Sequence, residues 1–279
     1  MGAEAIHRGG KTVIVARDGR HSSVTLSKAV SQGLLESGCD VLDIGLVPTP
    51  VLYFSTYRLT SRCGVMVTGS HNPPEYNGLK MVLNNEALSS VEIQNLRNRI
   101  AEEKFTNGLG SIQSGEIMPD YVKSLSSRMR VFSGNGLKVV VECGNGVSGI
   151  VVPKVLRGLG HEIIELHSEV DGNFPNHHPD PSQPENLMDL IETVIGHGAD
   201  LGMAFDGDGD RLGVVDGNGN IIWPDRLMIL FARDVLARNA GAKVIYDVKC
   251  SRVLGGEIES NRGAAIKSRT GNSLINSEK

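Results

Sequence analysis

Aromatic residues are scarce. Phe, Tyr and Trp together make up 4% of the 279 residues, which argues against an aromatic-rich β-sandwich. Cysteine is also sparse: Cys39, Cys63, Cys143 and Cys250 lie far apart with no Cys-x-x-Cys pair, so free thiols in a reducing compartment are expected. No apolar run approaches membrane-spanning length, and the start, Met1-Gly2-Ala3-Glu4-Ala5-Ile6, lacks the apolar core of a signal peptide. The expected location is the cytosol, with no membrane partner. An excess of positive charge is missing too. The formal net charge of −4 gives no reason to expect nucleic acid, and an anionic substrate would need cations placed locally. Finally, there is no Gly-x-x-x-x-Gly-Lys-Ser/Thr loop, which argues against a nucleotide-driven kinase or ATPase.

What is present points to α/β layers. Hydrophobic residues make up 40%, charged residues 22%, and there are 34 glycines, enough for many tight strand-to-helix turns. Lys11 to Ala16 is a predicted strand running into the charged turn Arg17 to Arg20. Thr25 to Ser37 carries Leu26, Ala29, Val30, Leu34 and Leu35 at helical spacing. Strands are expected at Asp40 to Ile44, Val65 to Val67 and Leu79 to Leu83, with helices over 51–58 and 90–104, the latter capped by Ser89 or Ser90. The Gly- and Ser-rich segment Thr106 to Gly115 has the composition of an inter-domain connection.

A second α/β run follows: helix 120–130, strand 137–142, helix 149–159, strand 162–166, a Pro- and His-rich loop 171–184, helix 185–197, strand 199–205 and a hairpin turning at Gly217 to Asn220. Helix 224–238, strand 243–247 and a helix near 252–260 begin a third unit. One strand and two helices cannot bury a sheet on both faces, so this unit is expected to be incomplete, and the first strand arrives with no lead-in. The expected architecture is successive α/β domains with mixed, mainly parallel sheets flanked by helices, divided as 1–115, 116–222 and 223–279.

Two stretches carry the chemistry. In Gly64-Val65-Met66-Val67-Thr68-Gly69-Ser70-His71-Asn72-Pro73-Pro74, a buried strand breaks at Gly69 and offers the Ser70 hydroxyl at a turn stiffened by Asn72 and two prolines. A nucleophile or phosphate carrier belongs at such a place, although an ordinary turn has the same local pattern. In Asp206-Gly207-Asp208-Gly209-Asp210-Arg211, single glycines let alternate carboxylates converge, and crowded carboxylates call for a hard cation such as magnesium, calcium or manganese. An EF-hand fails, because its sixth and twelfth positions counted from Asp206 are Arg211 and Gly217.

A competing class is a nicotinamide-dependent oxidoreductase. Gly144-Asn145-Gly146-Val147-Ser148-Gly149 matches Gly-x-Gly-x-x-Gly between a strand and a helix, with Glu165 near the distance of a ribose contact. The match leaves Ser70 and the aspartates without a role. His177-His178-Pro179-Asp180 is a weak metal candidate, since adjacent histidines diverge and no third soft ligand is near in sequence.

Taken together, Thr68-Gly69-Ser70-His71-Asn72-Pro73 and Asp206 to Arg211 resemble the α-D-phosphohexomutases, most closely the bacterial phosphomannomutase/phosphoglucomutase branch. Val47-Pro48-Thr49-Pro50, Tyr76-Asn77-Gly78-Leu79-Lys80, the loop Asp171 to Pro179 and Asp247-Val248-Lys249-Cys250 extend the resemblance over nearly the whole chain. It implies that Ser70 is a phosphoserine and that Mg2+ is held by Asp206, Asp208 and Asp210 with a Ser70 oxygen. Lys80 would move a proton to and from the sugar hydroxyl, which needs its pKa lowered by burial or nearby positive charge. Arg211 would neutralise phosphoryl oxygens and His71 would orient the serine loop. Lys249, Arg20 and Ser273 would be the substrate-binding residues.

The implied substrates are hexose phosphates, with phosphate exchanged between C1 and C6 through a hexose 1,6-bisphosphate. The sequence departs from the family at an N-terminal opening with its own arginine, at the sugar-recognition loop (Gly255-Gly256-Glu257 does not reproduce it), at Asn272, where the family carries histidine, and in the absence of a fourth domain. The expectation is a shortened, impaired or non-catalytic homologue that keeps the serine and metal loops, with its preference between mannose and glucose undetermined.

Overall fold

The computed structural model describes residues 1–129 and 136–271. The chain runs α1 (Gly2–His7), β1 (Thr12–Arg17), α2 (His21–Glu36), β2 (Asp40–Leu46), α3 (Thr49–Arg58), β3 (Gly64–Val67), β4 (Leu79–Leu83), β5 (Glu86–Ala87), α4 (Ser90–Ala101) and β6 (Ile112–Ser114). It continues with α5 (Met118–Met129), β7 (Lys138–Glu142), α6 (Val152–Gly158), β8 (Glu162–Leu166), α7 (Met188–His197), β9 (Leu201–Phe205), β10 (Leu212–Asp216) and β11 (Ile221–Ile222). Last come α8 (Pro224–Arg238), β12 (Lys243–Asp247), α9 (Arg252–Ser260) and β13 (Ala264–Ser268). No helix among the described residues is long and apolar enough to cross a membrane.

Two compact units result: Met1–Glu86 with Leu96–Ile221, and Ala87–Asn95 with Ile222–Lys279. The first holds two sheets of related order, β5-β4-β3-β1-β2-β6 and β11-β10-β9-β7-β8. In each the inner pairings are parallel and one strand returns antiparallel, β4 on β3 and β10 on β9. Strand β3 is apolar along its whole length because both its faces are covered; Val65, Met66 and Val67 are at most 1% exposed. Val51 and Leu52 of α3 pack with Ile14 and Met66 on one face. Leu190 and Val194 of α7 form the second core with Val140, Ala204 and Val215. In the second unit, β12 and β13 pair in parallel beneath α8 and α9, around Ile229, Leu236, Tyr246, Leu254 and Ile258.

Several expectations are revised. A short lead-in helix, α1, precedes the first strand. Residues 106–115 are not a free connection, since Ile112–Ser114 adds a parallel edge strand to β2. Helix α2 begins at His21 and turns a different face inward. Ser23, Ser27, Ser31 and Leu34 are buried, whereas Leu26 is 40% exposed, because small serines allow the helix to lie close to the sheet. The helix expected over 149–159 divides into a 3-10 turn, Val147–Ile150, and α6. The third unit gains β13. Ser89 does cap α4: its backbone N–H donates to Glu92 Oε2 at 2.8 Å and its hydroxyl accepts from Glu92 N–H at 3.3 Å, a capping box.

Truncating Leu190, which is fully buried, to alanine is expected to cost about 2–5 kcal/mol in a urea or guanidinium melt. Ile195→Ala on the same helix, at a position 56% exposed, should cost less than about 1 kcal/mol. Equal losses would place the core on the wrong face of α7.

Candidate active site

The Ser70 loop leaves the C-terminal end of β3 and the Asp206 loop leaves the C-terminal end of β9. The two meet. Ser70 takes a left-handed backbone, φ +49°, which turns its hydroxyl onto Asp206 Oδ2 at 2.7 Å. The loops touch through backbone as well: a Cβ at Gly207 would stand 2.6 Å from the Ser70 carbonyl oxygen, so only glycine allows this approach. His71 Nδ1 lies 3.5 Å from the Ser70 hydroxyl, at the outer limit of a hydrogen bond.

Within the Asp206 loop the three carboxylates converge, their ligand oxygens all lying within 4.8 Å of one another. Asp206 and Asp208 are fully buried. Asp206 Oδ1 accepts the backbone N–H groups of Asp210 and Arg211, each at 3.0 Å. Asp208 Oδ2 accepts from the Thr49 hydroxyl at 2.5 Å and the Lys80 ammonium at 2.6 Å, and Lys80 also reaches Asp210 Oδ2 at 2.5 Å. Burial, followed by the charges of Asp208 and Asp210, pushes Asp206 up to about 7. For Asp208, burial works in the same direction but is outweighed by Lys80 and Thr49, which hold its carboxyl low. Asp208 Oδ1 is buried and finds no hydrogen-bond partner among the described residues. An orphaned carboxylate oxygen in an all-oxygen, negatively charged cluster fits a hard divalent cation.

The other expected residues fall as follows. Lys80 does reach the cluster, but its neighbours are carboxylates and not cations. Burial opposes its charge, Asp208 and Asp210 override that, and its pKa is raised where a lowered one was expected. Arg211 carries its head half in solvent, with Nε 3.9 Å from Asp206 Oδ2. Burial and then the charge of Arg211 hold the His71 imidazole below its usual range.

Arg20 is not available to a substrate. It is fully buried, and all five of its N–H donors are engaged within the protein. Nε donates to Asp18, one terminal nitrogen to the Pro73 and Tyr76 carbonyls, and the other to the Ser70 and Asn72 carbonyls. Its guanidinium carbon also lies 4.9 Å from the Phe174 ring centroid. Arg20 is thus the frame of the serine loop. Lys249 belongs to the second unit, exposed in the turn after β12, where its backbone N–H donates to Asp247 Oδ1 at 2.8 Å. Ser273 and Asn272 lie outside the described residues.

Two contributors escaped the reading of the sequence. Thr49 binds Asp208 through both side chain and backbone, and Asp18 anchors Arg20, the Gly69 N–H and the Ser23 hydroxyl. The prolines flanking Thr49 were the available signal, since they mark a rigid helix entry.

The dinucleotide reading of Gly144 to Gly149 does not survive. The turn is filled by protein: Val147 N–H donates to the Gly207 carbonyl at 3.2 Å, and a Cβ at Gly149 would stand 2.0 Å from the Ser168 carbonyl oxygen. No long helix follows to receive a pyrophosphate, and Glu165 is paired with Arg157 at 2.6 Å.

A buried hydroxyl set against clustered carboxylates, at the ends of two α/β sheets, has the layout of a cation-assisted group-transfer centre. Residues 1–107 match the family profile described as phosphoglucomutase/phosphomannomutase, alpha/beta/alpha domain I, and residues 119–219 match that of domain II. The chain belongs to the phosphoglucomutase/phosphomannomutase family. It is 51% identical over 275 residues to a phosphomannomutase/phosphoglucomutase of Pseudomonas aeruginosa and 45% identical over 279 residues to a phosphoglucomutase of Neisseria meningitidis. These alignments take in 99% of this chain but 59% and 60% of those proteins, so the chain spans about three-fifths of the length of the curated relatives it matches. A crystal structure of a phosphoglucomutase/phosphomannomutase family protein from Burkholderia thailandensis superposes with a TM-score of 0.92 at 45% identity, over 99% of this chain and 62% of that one.

Replacing Arg20 by methionine leaves Asp18 as an unpaired buried charge and should cost about 3–5 kcal/mol in a denaturant melt. Arg20→Lys keeps the charge but not the fork, and is expected to accelerate amide hydrogen exchange across 69–77 with a smaller loss of stability. Unchanged exchange in that segment would remove Arg20 from the role of frame.

Proposed function

We propose that these residues form the phosphoryl-transfer centre of a phosphohexomutase, with Ser70 as the phosphoryl carrier. The observation that supports this reading above all is the 2.7 Å contact between the Ser70 hydroxyl and Asp206, which joins residues 136 positions apart. On this reading 1–115 and 116–222 are its first two domains and 223–279 is part of a third. Asp206, Asp208, Asp210 and Ser70 would hold Mg2+, which supplies positive charge for the phosphoryl oxygens.

The substrate is a hexose 1- or 6-phosphate. Its free hydroxyl attacks the phosphorus carried on Ser70; the Ser70 O–P bond breaks, the sugar O–P bond forms, the hydroxyl proton passes to Lys80, and the departing Ser70 oxygen takes up a proton from solvent. The product of this half-reaction is a hexose 1,6-bisphosphate. In the return half, the Ser70 oxygen attacks the other phosphate and loses its proton to solvent; the Ser70 O–P bond forms, the sugar O–P bond breaks, and Lys80 returns its proton to the sugar oxygen. Lys80 can carry a proton only when released from Asp208 and Asp210, because those contacts keep it an ammonium. Arg211, with its half-exposed head, neutralises phosphoryl oxygens. His71 positions the serine, and Lys249 is the candidate contact to the substrate phosphate. Four unpaired cysteines fit a cytosolic setting.

Incubation with glucose 1,6-bisphosphate and magnesium, followed by mass spectrometry of the Ser70 peptide, should give a phosphopeptide that Ser70→Ala abolishes. No phosphopeptide, or one unaffected by that change, rejects the carrier role. In a coupled mutase assay these 279 residues are expected to turn over far more slowly than the longer relatives they match.

Magnesium at 100 times its Kd should stabilise the protein by about 2.7 kcal/mol, read as a rise in melting temperature. Asp208→Asn should remove most of that rise; a rise that persists in full would move the cation elsewhere.

A further inference from the structure

A second cluster of ligating groups stands apart from the aspartates. Glu142 ends β7 and is 1% exposed; His167 follows β8; His177 comes from the loop between β8 and α7. Glu142 Oε1 lies 3.1 Å from His167 Nδ1 and 3.2 Å from His177 Nε2, and the three ligand atoms all fall within 4.8 Å of one another. The partner that adjacent histidines could not provide is thus supplied by the fold, from two other strands.

The hydrogen bonding of both rings is informative. His177 Nδ1 faces the His178 carbonyl at 2.9 Å, which accepts only, so the proton of the neutral ring sits on Nδ1 and Nε2 presents a lone pair. That Nε2 is buried and makes no hydrogen bond, although Glu142 Oε1 is close by. Beside that carboxylate the nitrogen needs a positive partner, met either by a proton, which Glu142 favours by raising the His177 pKa, or by a metal ion. The inner nitrogen of His167 is hydrogen-bonded to Glu142 Oε1 at 3.1 Å, and its outward nitrogen faces Asp189 Oδ2 at 3.8 Å, beyond hydrogen-bond range, so of the two rings His177 is the one whose far nitrogen is held by an acceptor. An imidazole whose far nitrogen is turned to a carbonyl or a carboxylate has the arrangement usual for metal-bound histidine. Zinc bonds of about 2.0–2.2 Å put ligand atoms about 3 to 3.5 Å apart, as the two contacts to Glu142 are here.

We propose that Glu142, His167 and His177 bind a borderline divalent metal, zinc above all, at a site separate from the aspartate cluster and independent of the mutase reading. Two imidazoles and one carboxylate suit zinc, whereas the all-oxygen cluster suits magnesium. The consequence is mechanical. A Cβ at Gly144 would stand 2.9 Å from Pro179 Cβ, and one at Gly207 would stand 3.4 Å from Pro179 Cγ, so the His177 loop is packed against the loop that carries the aspartates. An ion tying that loop to β7 and β8 would stiffen one wall of the active site.

Cobalt(II) serves as the spectroscopic probe for zinc. Metal-stripped protein in saturating magnesium should bind one equivalent of cobalt with a visible d–d band. His167→Gln and His177→Gln should each weaken binding by more than about 100-fold, beyond the roughly 10–100-fold expected from losing an orienting partner. Asp208→Asn should leave the band intact. No band in the unaltered protein overturns the proposal, as does a band lost in Asp208→Asn and retained in both histidine variants. Should either histidine variant fail to fold, ring 15N shifts of the unaltered protein decide. Zinc moving the His167 and His177 signals supports the site, and signals that stay in place, as a proton shared with Glu142 would leave them, reject it.

Discussion

The contact between the Ser70 hydroxyl and the Asp206 carboxylate depends on a concentration of negative charge that the fold must tolerate. Burying an ion costs several kcal/mol unless opposite charge and hydrogen bonds compensate, and here two carboxylates are fully buried beside a third. Compensation arrives from several elements. Backbone N–H groups of Asp210 and Arg211 serve Asp206; Thr49 from the start of α3 and Lys80 from β4 serve Asp208. One oxygen, Asp208 Oδ1, is left over without a hydrogen-bond partner among the described residues, which a cation bound by the three acids would satisfy. The same balance explains why Lys80 is an ammonium: with Arg211 beside Asp206, it brings positive charge from the protein itself to the cluster.

Holding a serine at φ +49° beside that charge requires a rigid loop, because a left-handed non-glycine residue persists only where its surroundings over-determine it. Arg20 provides the constraint. Its planar fork collects four carbonyl oxygens of the loop, while Asp18 balances its charge and also takes the Gly69 N–H. A residue that in sequence has the look of an exposed turn arginine is therefore buried more completely than most of the core.

What was legible in the sequence was local. Ser70 and the Asp-Gly-Asp-Gly-Asp run were visible because the two stretches, each following an apolar strand, together match one family's motifs, whereas either alone could be an ordinary turn, and the capped start of α4 declared itself. What was not legible depends on partners far along the chain. The inward face of α2 is lined by serines, which no apolar periodicity reveals. Strand β6 is short and exposed along its length, so its pairing with β2 leaves no hydrophobic pattern. The role of Arg20 is defined by carbonyl groups 50 to 56 residues away, and backbone carbonyls have no signature in sequence. Glu142, His167 and His177 come together only through parallel pairing of β7 with β8.

The two sheets of the first unit also explain why the site is where it is. In each, the first two strands and the third run parallel, and the fourth returns antiparallel beside the third, so the third strand ends in a reversal, 68–78 in one sheet and 206–211 in the other. That reversal carries Ser70 in one sheet and the aspartates in the other. In each, too, the turn after the first strand braces the reversal: Arg20 follows β1 and holds the Ser70 loop, and Val147 follows β7 and holds Gly207. Ligands of open α/β sheets gather in the crevices outside the carboxyl ends of the strands, where loops on either side of a switch in strand order diverge. Two sheets built on one plan, with those ends facing each other, bring a hydroxyl from one copy against the acids of the other, and neither sheet alone contains the pair.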